Sequence, residues 1–260
     1  MNGREKTDVL IFSGQSNMQG STGEKSEKPS VKNCCEYKYL TDSFEPLKDP
    51  VGEDIGDALR ATAEGNGSLV PSFCEKYAEN GKRVVAIHVA RGNTSLSEWQ
   101  KGTERFDAVA DKIKNGLRKV AENYDIERIF FIWLQGESDA LKGTSTGEYV
   151  RMLKNFKNDL KRQIPISRFC VIKQGYFAAY AEWDERPFAE KKRSDKEIMK
   201  AFDIAAREDK DFTVLTGICK RLSRKKKYLN PKEYGPHFNN LGMEKIGRKA
   251  ASVLAKAYYS

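Results

Sequence analysis

An α/β fold is predicted for this chain of 260 residues: a three-layer sandwich with a central parallel sheet and helices on both faces. Two observations predict it. Short apolar or β-branched runs alternate along the sequence with segments of helical period, and such alternation argues for parallel strands joined by crossover helices. The length is enough to bury a substantial core, and α/β chains of this size commonly form one domain, here expected over 1–260.

Taken in order, the first strand is predicted over 8–13, carried by Val9-Leu10-Ile11-Phe12. Residues 20–68 follow, rich in Gly, Ser, Asp and Lys and without a sustained period, and they read as a long insertion walling one side of a site. A helix over 69–79, closed by Asn80-Gly81, leads into a strand over 83–89. Further helices are predicted over 104–122, 146–163, 194–208 and 239–258, with strands over 128–134, 168–173 and 212–215 between them. In open parallel sheets ligands bind beyond the carboxyl ends of the strands. Ser16, Gly92 and Gln135 all fall there on this reading.

Ser16 lies in Gly14-Gln15-Ser16-Asn17-Met18, where the first strand turns into a helix and exposes a hydroxyl. A serine is a weak nucleophile at its own pKa and needs a base. The chain has two histidines, His88 and His237. His88 sits inside an apolar strand and reads as a core residue. His237, in Gly235-Pro236-His237-Phe238-Asn239, enters the last helix, so an early nucleophile and a late histidine can meet at one sheet edge. The α/β-hydrolase elbow needs Gly two residues after its serine; Met18 stands there, which counts against that fold.

Four blocks together carry a family resemblance: Gly14 to Met18, Arg91-Gly92-Asn93-Thr94-Ser95-Leu96 with Trp99, Gln135-Gly136-Glu137-Ser138-Asp139, and His237. They resemble the SGNH-type carbohydrate esterases of the sialate O-acetylesterase and acetylxylan esterase group, carbohydrate esterase family 6, from residue 14 to residue 242. The resemblance implies an SGNH hydrolase-like, flavodoxin-like sheet and a serine esterase acting on acetylated carbohydrate, acetylxylan or another oligosaccharide, with sialate O-acetylesterase as the alternative. It implies Ser16 as nucleophile and His237 as base. The backbone N–H groups of Ser16 and Gly92 and the side-chain amide of Gln135 would form the oxyanion hole, and no metal or cofactor is needed.

This chain departs from the family pattern in two places. Members carry Asp three residues before the histidine, where Tyr234 stands here. Either Glu233 supplies the acid, or a backbone carbonyl orients the ring in a Ser-His dyad, or the chain is a non-catalytic carbohydrate-binding relative. The second departure is Arg91-Gly92-Asn93-Thr94 in place of Gly-Gly-Thr; Asn tolerates left-handed backbone, and Arg91 and Asn93 would reshape the pocket. Gln15, Arg91, Asn93, Glu137 and Trp99 are the candidate substrate contacts. Glu137 also reads as a residue hydrogen-bonded beneath the site, Asp139 as a cap, and Trp99 and Trp183 as either sugar platforms or packing lids.

The formal net charge is +9, and Lys220-Arg221-Leu222-Ser223-Arg224-Lys225-Lys226-Lys227 places six basic residues in eight positions. Such a run attracts polyanions. No aromatic platform or nucleic-acid motif accompanies it, so a solvated basic face is expected and nucleic acid is not the expected partner. No stretch approaches the roughly 20 apolar residues of a membrane span. Five cysteines, with Cys34 and Cys35 adjacent, do not form a disulfide framework. With the polar start Met1 to Asp8, they make a cytoplasmic location the expectation.

Overall fold

The computed structural model describes residues 4–79, 81–230 and 236–259. Seven strands form one sheet: β1 Lys6–Gly14, β2 Cys34–Lys38, β3 Ser43–Pro46, β4 Arg83–Ala90, β5 Asp125–Leu134, β6 Arg168–Ile172 and β7 Phe212–Thr216. Their order is β3-β2-β4-β1-β5-β6-β7. All neighbours are parallel except β2 and β3, an antiparallel pair at the edge. The helices are α1 Ser16–Gln19, α2 Val70–Ala78, α3 Glu104–Asn123, α4 Glu137–Lys142, α5 Thr146–Lys161, α6 Phe188–Glu208, α7 Cys219–Leu222 and α8 Asn240–Tyr259.

Successive residues of a strand point to opposite faces, and β1 shows why the sheet is covered twice. Val9 and Ile11 pack into a core shared with α3, α5 and α6, whereas Leu10 and Phe12 pack into a second core with α2 and α8. The predicted three-layer arrangement is therefore present. Each of the five predicted strands and five predicted helices is found, with ends moved by a few residues, more at the start of α6. That helix begins at Phe188, straight after Pro187; its basic first turns hide the helical period in the sequence. Lys191 there is buried, and its Nζ donates to the carbonyls of Ala181 and Asp184 at 2.8 and 2.9 Å.

Residues 20–68 are more than an insertion, since they supply β2 and β3 to the sheet. Their pattern is hidden by buried ions. Glu36 on β2 accepts from the Gly52 N–H at 2.6 Å and pairs with Lys38 at 2.8 Å. Lys112 on α3, fully buried, pairs with Glu53 at 2.7 Å. Charges at core positions erase the apolar alternation by which a strand is read.

The chain passes from β1 toward β4 on one side, while β5 begins the run to the other side. The crevice beyond β1 and β5 is thus a topological switch point, where open α/β sheets bind ligands. Ser16 follows β1 and Gln135 follows β5.

Candidate active site

Gly14 ends β1 with φ +147°, and a Cβ there would lie 1.9 Å from the Leu134 carbonyl oxygen of β5. Only glycine lets the two strand ends approach so closely. The Gln15 N–H donates to that same carbonyl at 3.2 Å, and α1 then runs for one turn to Gly20. Ser16 opens this turn.

The His237 segment is pinned from two sides. The Asn230 N–H donates to the His237 carbonyl at 2.8 Å, and the Asn239 N–H to the Tyr228 carbonyl at 3.0 Å. The Phe238 N–H donates to Asn17 Oδ1 at 3.2 Å. These bonds bring His237 Nε2 to 2.8 Å from Ser16 Oγ. Residues 221 apart in sequence are thus in hydrogen-bonding contact, with the ring of Phe177 edge-on to the imidazole at 5.1 Å. Glu233 and Tyr234 lie outside the described residues.

Asn17 holds the arrangement in place. Its Oδ1 takes the Phe238 N–H while its Nδ2 donates to Glu137 Oε1 at 2.8 Å. An amide is needed because one end must accept and the other donate. Sequence reading passed over Asn17, although it adjoins Ser16. It also missed Asp195, whose carboxylate accepts the N–H groups of Phe177, Ala178 and Ala179 at 3.2, 3.1 and 2.9 Å and so fixes the wall beside His237. Burial pushes the Asp195 carboxyl up to about 6 against these lowering bonds.

Gly92 lies against Ser16. A Cβ on it would sit 3.4 Å from Ser16 Cβ. Its N–H donates to Gln19 Oε1 at 2.7 Å. Asn93 holds φ +56°, the left-handed turn that its type tolerates, and its side chain is exposed. Arg91 is partly exposed, and no ion pair of it is seen among the described residues.

Four expected contacts are placed otherwise. Gln135 is fully buried, and both its N–H groups are committed, to the Thr94 carbonyl at 3.0 Å and to Asp139 Oδ2 at 2.5 Å. Its Oε1 accepts from the Tyr149 hydroxyl at 2.7 Å, so this amide braces the loop and does not face an oxyanion. Trp99 is fully buried, edge-on to Trp133 at 5.1 Å, with Nε1 donating to Thr94 Oγ1 at 3.1 Å, and has no face for a sugar. Gln15 Oε1 accepts the N–H groups of Gly136 and Ser138 at 3.3 and 3.1 Å, tying the β1 loop to α4. Glu137 is buried beneath the site, the second of its two sequence readings.

His88 is a core residue, as expected. Burial, with Lys112 adding to it, lowers its pKa to about 3, and the neutral ring has Nε2 3.2 Å from the Met18 carbonyl oxygen. Asp139 caps as predicted, its Oδ2 accepting the Leu96 N–H at 2.9 Å. The side chains of the 220–227 basic run are exposed, while Leu222 and Ser223 between them turn inward. Among the described residues no helix is long and apolar enough to cross a membrane.

Solved structures share this architecture at low sequence identity. An Arabidopsis thaliana protein superposes with a TM-score of 0.70 at 14% identity, over 98% of this chain and 99% of its own. The structure of NanS gives 0.63 at 12%, over the whole of both chains. A carbohydrate acetylesterase from Xanthomonas citri gives 0.54 at 13%, over 97% of this chain and 56% of its own. No curated protein matches the sequence. Residues 6–256 match the family described as carbohydrate esterase, sialic acid-specific acetylesterase. With nearly its whole length matched, the chain belongs to that family of carbohydrate acetylesterases and is a carboxylic ester hydrolase.

Proposed function

We propose that this chain is a serine esterase, one domain over 1–260, that hydrolyses acetyl esters on carbohydrate through an acetyl-enzyme. The observation that carries this reading is the 2.8 Å contact between Ser16 Oγ and His237 Nε2. Ser16 Oγ attacks the acetyl carbonyl carbon as its proton passes to His237 Nε2. The carbonyl electron pair moves to oxygen, and the Ser16 and Gly92 N–H groups are the donors assigned to it. Collapse breaks the C–O bond to the sugar, whose oxygen takes the proton from His237. Water then attacks acetyl-Ser16, its proton passes through His237 back to Ser16 Oγ, and acetate leaves.

The leaving oxygen must reach His237 Nε2, so the sugar lies over the neighbours of the imidazole. Phe177 is the first of these, and Trp183 follows with its ring 6.2 Å from that of Phe177 and 42% of its surface exposed. We assign the stacking face for the sugar to Trp183. Arg91, beside Gly92, favours an acidic sugar, because a guanidinium at the rim matches a carboxylate in two hydrogen bonds. The family's description points the same way, to sialic acid; neutral acetylated oligosaccharide such as acetylxylan is the competing substrate. We place the enzyme in the cytoplasm, in keeping with its five free cysteines, four of them buried.

Hydrolysis of p-nitrophenyl acetate and of acetylated sialic acid and xylo-oligosaccharide, by wild type, Ser16→Ala and His237→Ala, tests this. Both variants are expected to lose about 10³-fold or more in kcat. A folded Ser16→Ala protein with full activity refutes the serine mechanism, and an inactive wild type leaves the non-catalytic binding relative.

A further inference from the structure

The Gly92 N–H, assigned above to the developing oxyanion, already has an acceptor. Gln19 Oε1 takes it at 2.7 Å, while Gln19 Nε2 donates to the Ala61 carbonyl at 2.9 Å. The two partners fix which end of the amide is oxygen, since the donor of Gly92 and the acceptor of Ala61 admit only one orientation. Thr62 Oγ1 donates to the Gln19 carbonyl at 2.5 Å and holds the residue from the same side.

The captured oxygen and Ser16 both border Gly92. A Cβ on Gly92 would sit 3.1 Å from Gln19 Oε1 and 3.4 Å from Ser16 Cβ. A primary carboxamide also has the planar shape of an acetyl group, with NH2 in place of CH3 and the carbonyl in common. Gln19 therefore offers Gly92 the same acceptor that an acetyl ester offers.

We propose that Gln19 is an internal occupant of the acyl pocket: its amide oxygen holds the Gly92 N–H in the empty enzyme and is displaced by the carbonyl oxygen of the ester. This rests on the serine-esterase reading above. Gln19 is then a positioning residue. It keeps a part-buried donor satisfied and aimed before substrate arrives, and the exchange of one neutral hydrogen bond for another weakens substrate binding by the worth of the bond given up. The latch, Ala61 and Thr62, belongs to the segment between β3 and α2, itself fixed by the Ala61 N–H on Asp54 Oδ1 at 2.9 Å and the Thr62 N–H on the Val51 carbonyl at 2.8 Å.

Two measurements on the full chain test this: kinetics on p-nitrophenyl acetate, and the rate at which diethyl p-nitrophenyl phosphate labels Ser16 with release of p-nitrophenolate. Gln19→Ala removes the competitor, so KM falls and labelling quickens, each by about threefold to tenfold, the range of one neutral hydrogen bond. Gln19→Glu keeps the shape but places a carboxylate on Gly92 beside the developing oxyanion. Relative to wild type at each pH, both rates then fall about tenfold or more near neutrality and recover as the pH drops through the carboxylate range. A Gln19 that only braces the loop gives the opposite pattern, with kcat lowered in Gln19→Ala, KM not lowered and labelling slowed. That pattern, or unchanged kinetics in Gln19→Ala, overturns the proposal. Ser16→Ala separates the two failures: wild-type turnover and labelling without the hydroxyl remove the serine reading and this proposal with it, whereas labelling that needs Ser16 but ignores Gln19 removes this proposal alone.

Discussion

Replacing Glu137 by glutamine is expected to stabilise the protein, and only above the ordinary carboxylate range. Glu137 has one hydrogen bond that favours its charged form from a side chain, the Asn17 Nδ2 donor at 2.8 Å. Its Oε2 is buried without a donor among the described residues. Burial, with the nearby carboxylates of Asp195 and Asp139 adding to it, pushes the group from 4.5 up to about 7. The folded protein therefore keeps a proton that the unfolded chain releases between those values. The stability this group contributes is highest below pH 4.5 and declines as pH rises, and the loss is complete above about 7. At 1.36 kcal/mol per pH unit, the difference amounts to about 3 kcal/mol.

Glutamine keeps the shape, the acceptor for Asn17 and a donor where the acid carries its proton, but it never charges. Thermal unfolding of wild type and Glu137→Gln across pH 5 to 8.5 isolates this group, since Asp195, Asp139 and the other raised carboxyls remain in both proteins. The two proteins are expected to melt closest together near pH 5 and to separate as pH rises, with Glu137→Gln higher at pH 8 by several degrees, at about 2–4 °C per kcal/mol for a domain of this size. Parallel curves, or a lower Tm for Glu137→Gln at pH 8, refute the protonated carboxyl.

Three further outcomes follow from the site. Arg91→Ala is expected to raise KM for acetylated sialic acid about tenfold, the worth of a charged hydrogen bond, and to leave KM for a neutral sugar acetate unaltered; an equal rise for both rejects the carboxylate clamp. Trp183→Ala is expected to raise KM for sugar acetates about fivefold, in line with an aromatic contact, but not for p-nitrophenyl acetate in the same assay; equal effects make Trp183 a packing residue. Gln135→Ala is expected to destabilise the fold by about 1–3 kcal/mol, since Asp139 and Tyr149 each lose a buried partner; a fall of about 10² in kcat with Tm unchanged would restore Gln135 to the oxyanion hole.

The fold was legible wherever a strand is buried on both faces. Val84 to Val89 and Phe130 to Leu134 read as strands because their neighbours across the sheet are also apolar, leaving no polar face to confuse the pattern. It was illegible at β2, where Glu36 is buried and its compensation comes from Gly52 and Lys38. Nothing local to Cys34–Lys38 announces that its charge is paired. The site follows the same rule. The meeting of Ser16 and His237 was expected from their blocks, since a serine and a histidine that can pair are recognised by residue type. Gln135 could not be placed, because the direction of its amide is set by Asp139, Thr94 and Tyr149, which lie four or more residues away.

The one-turn helix α1 shows why one block of sequence carried most of the signal. Ser16 faces His237, Asn17 bridges Phe238 and Glu137, the Met18 carbonyl faces His88, and Gln19 reaches Gly92 and Ala61. Four successive residues on a helix point about 100° apart, so the turn contacts the last loop, α4, β4 and the segment before α2 at once. Lengthening or shortening it by one residue would rotate every partner out of reach, and Gly20, at φ +101°, ends it where a side chain would strike the Gly67 carbonyl. The partners themselves come from distant segments. Contiguity in the Ser16 block and dispersal elsewhere are thus two consequences of a single geometry, in which one helical turn is the hub on which the strand ends and the His237 loop converge.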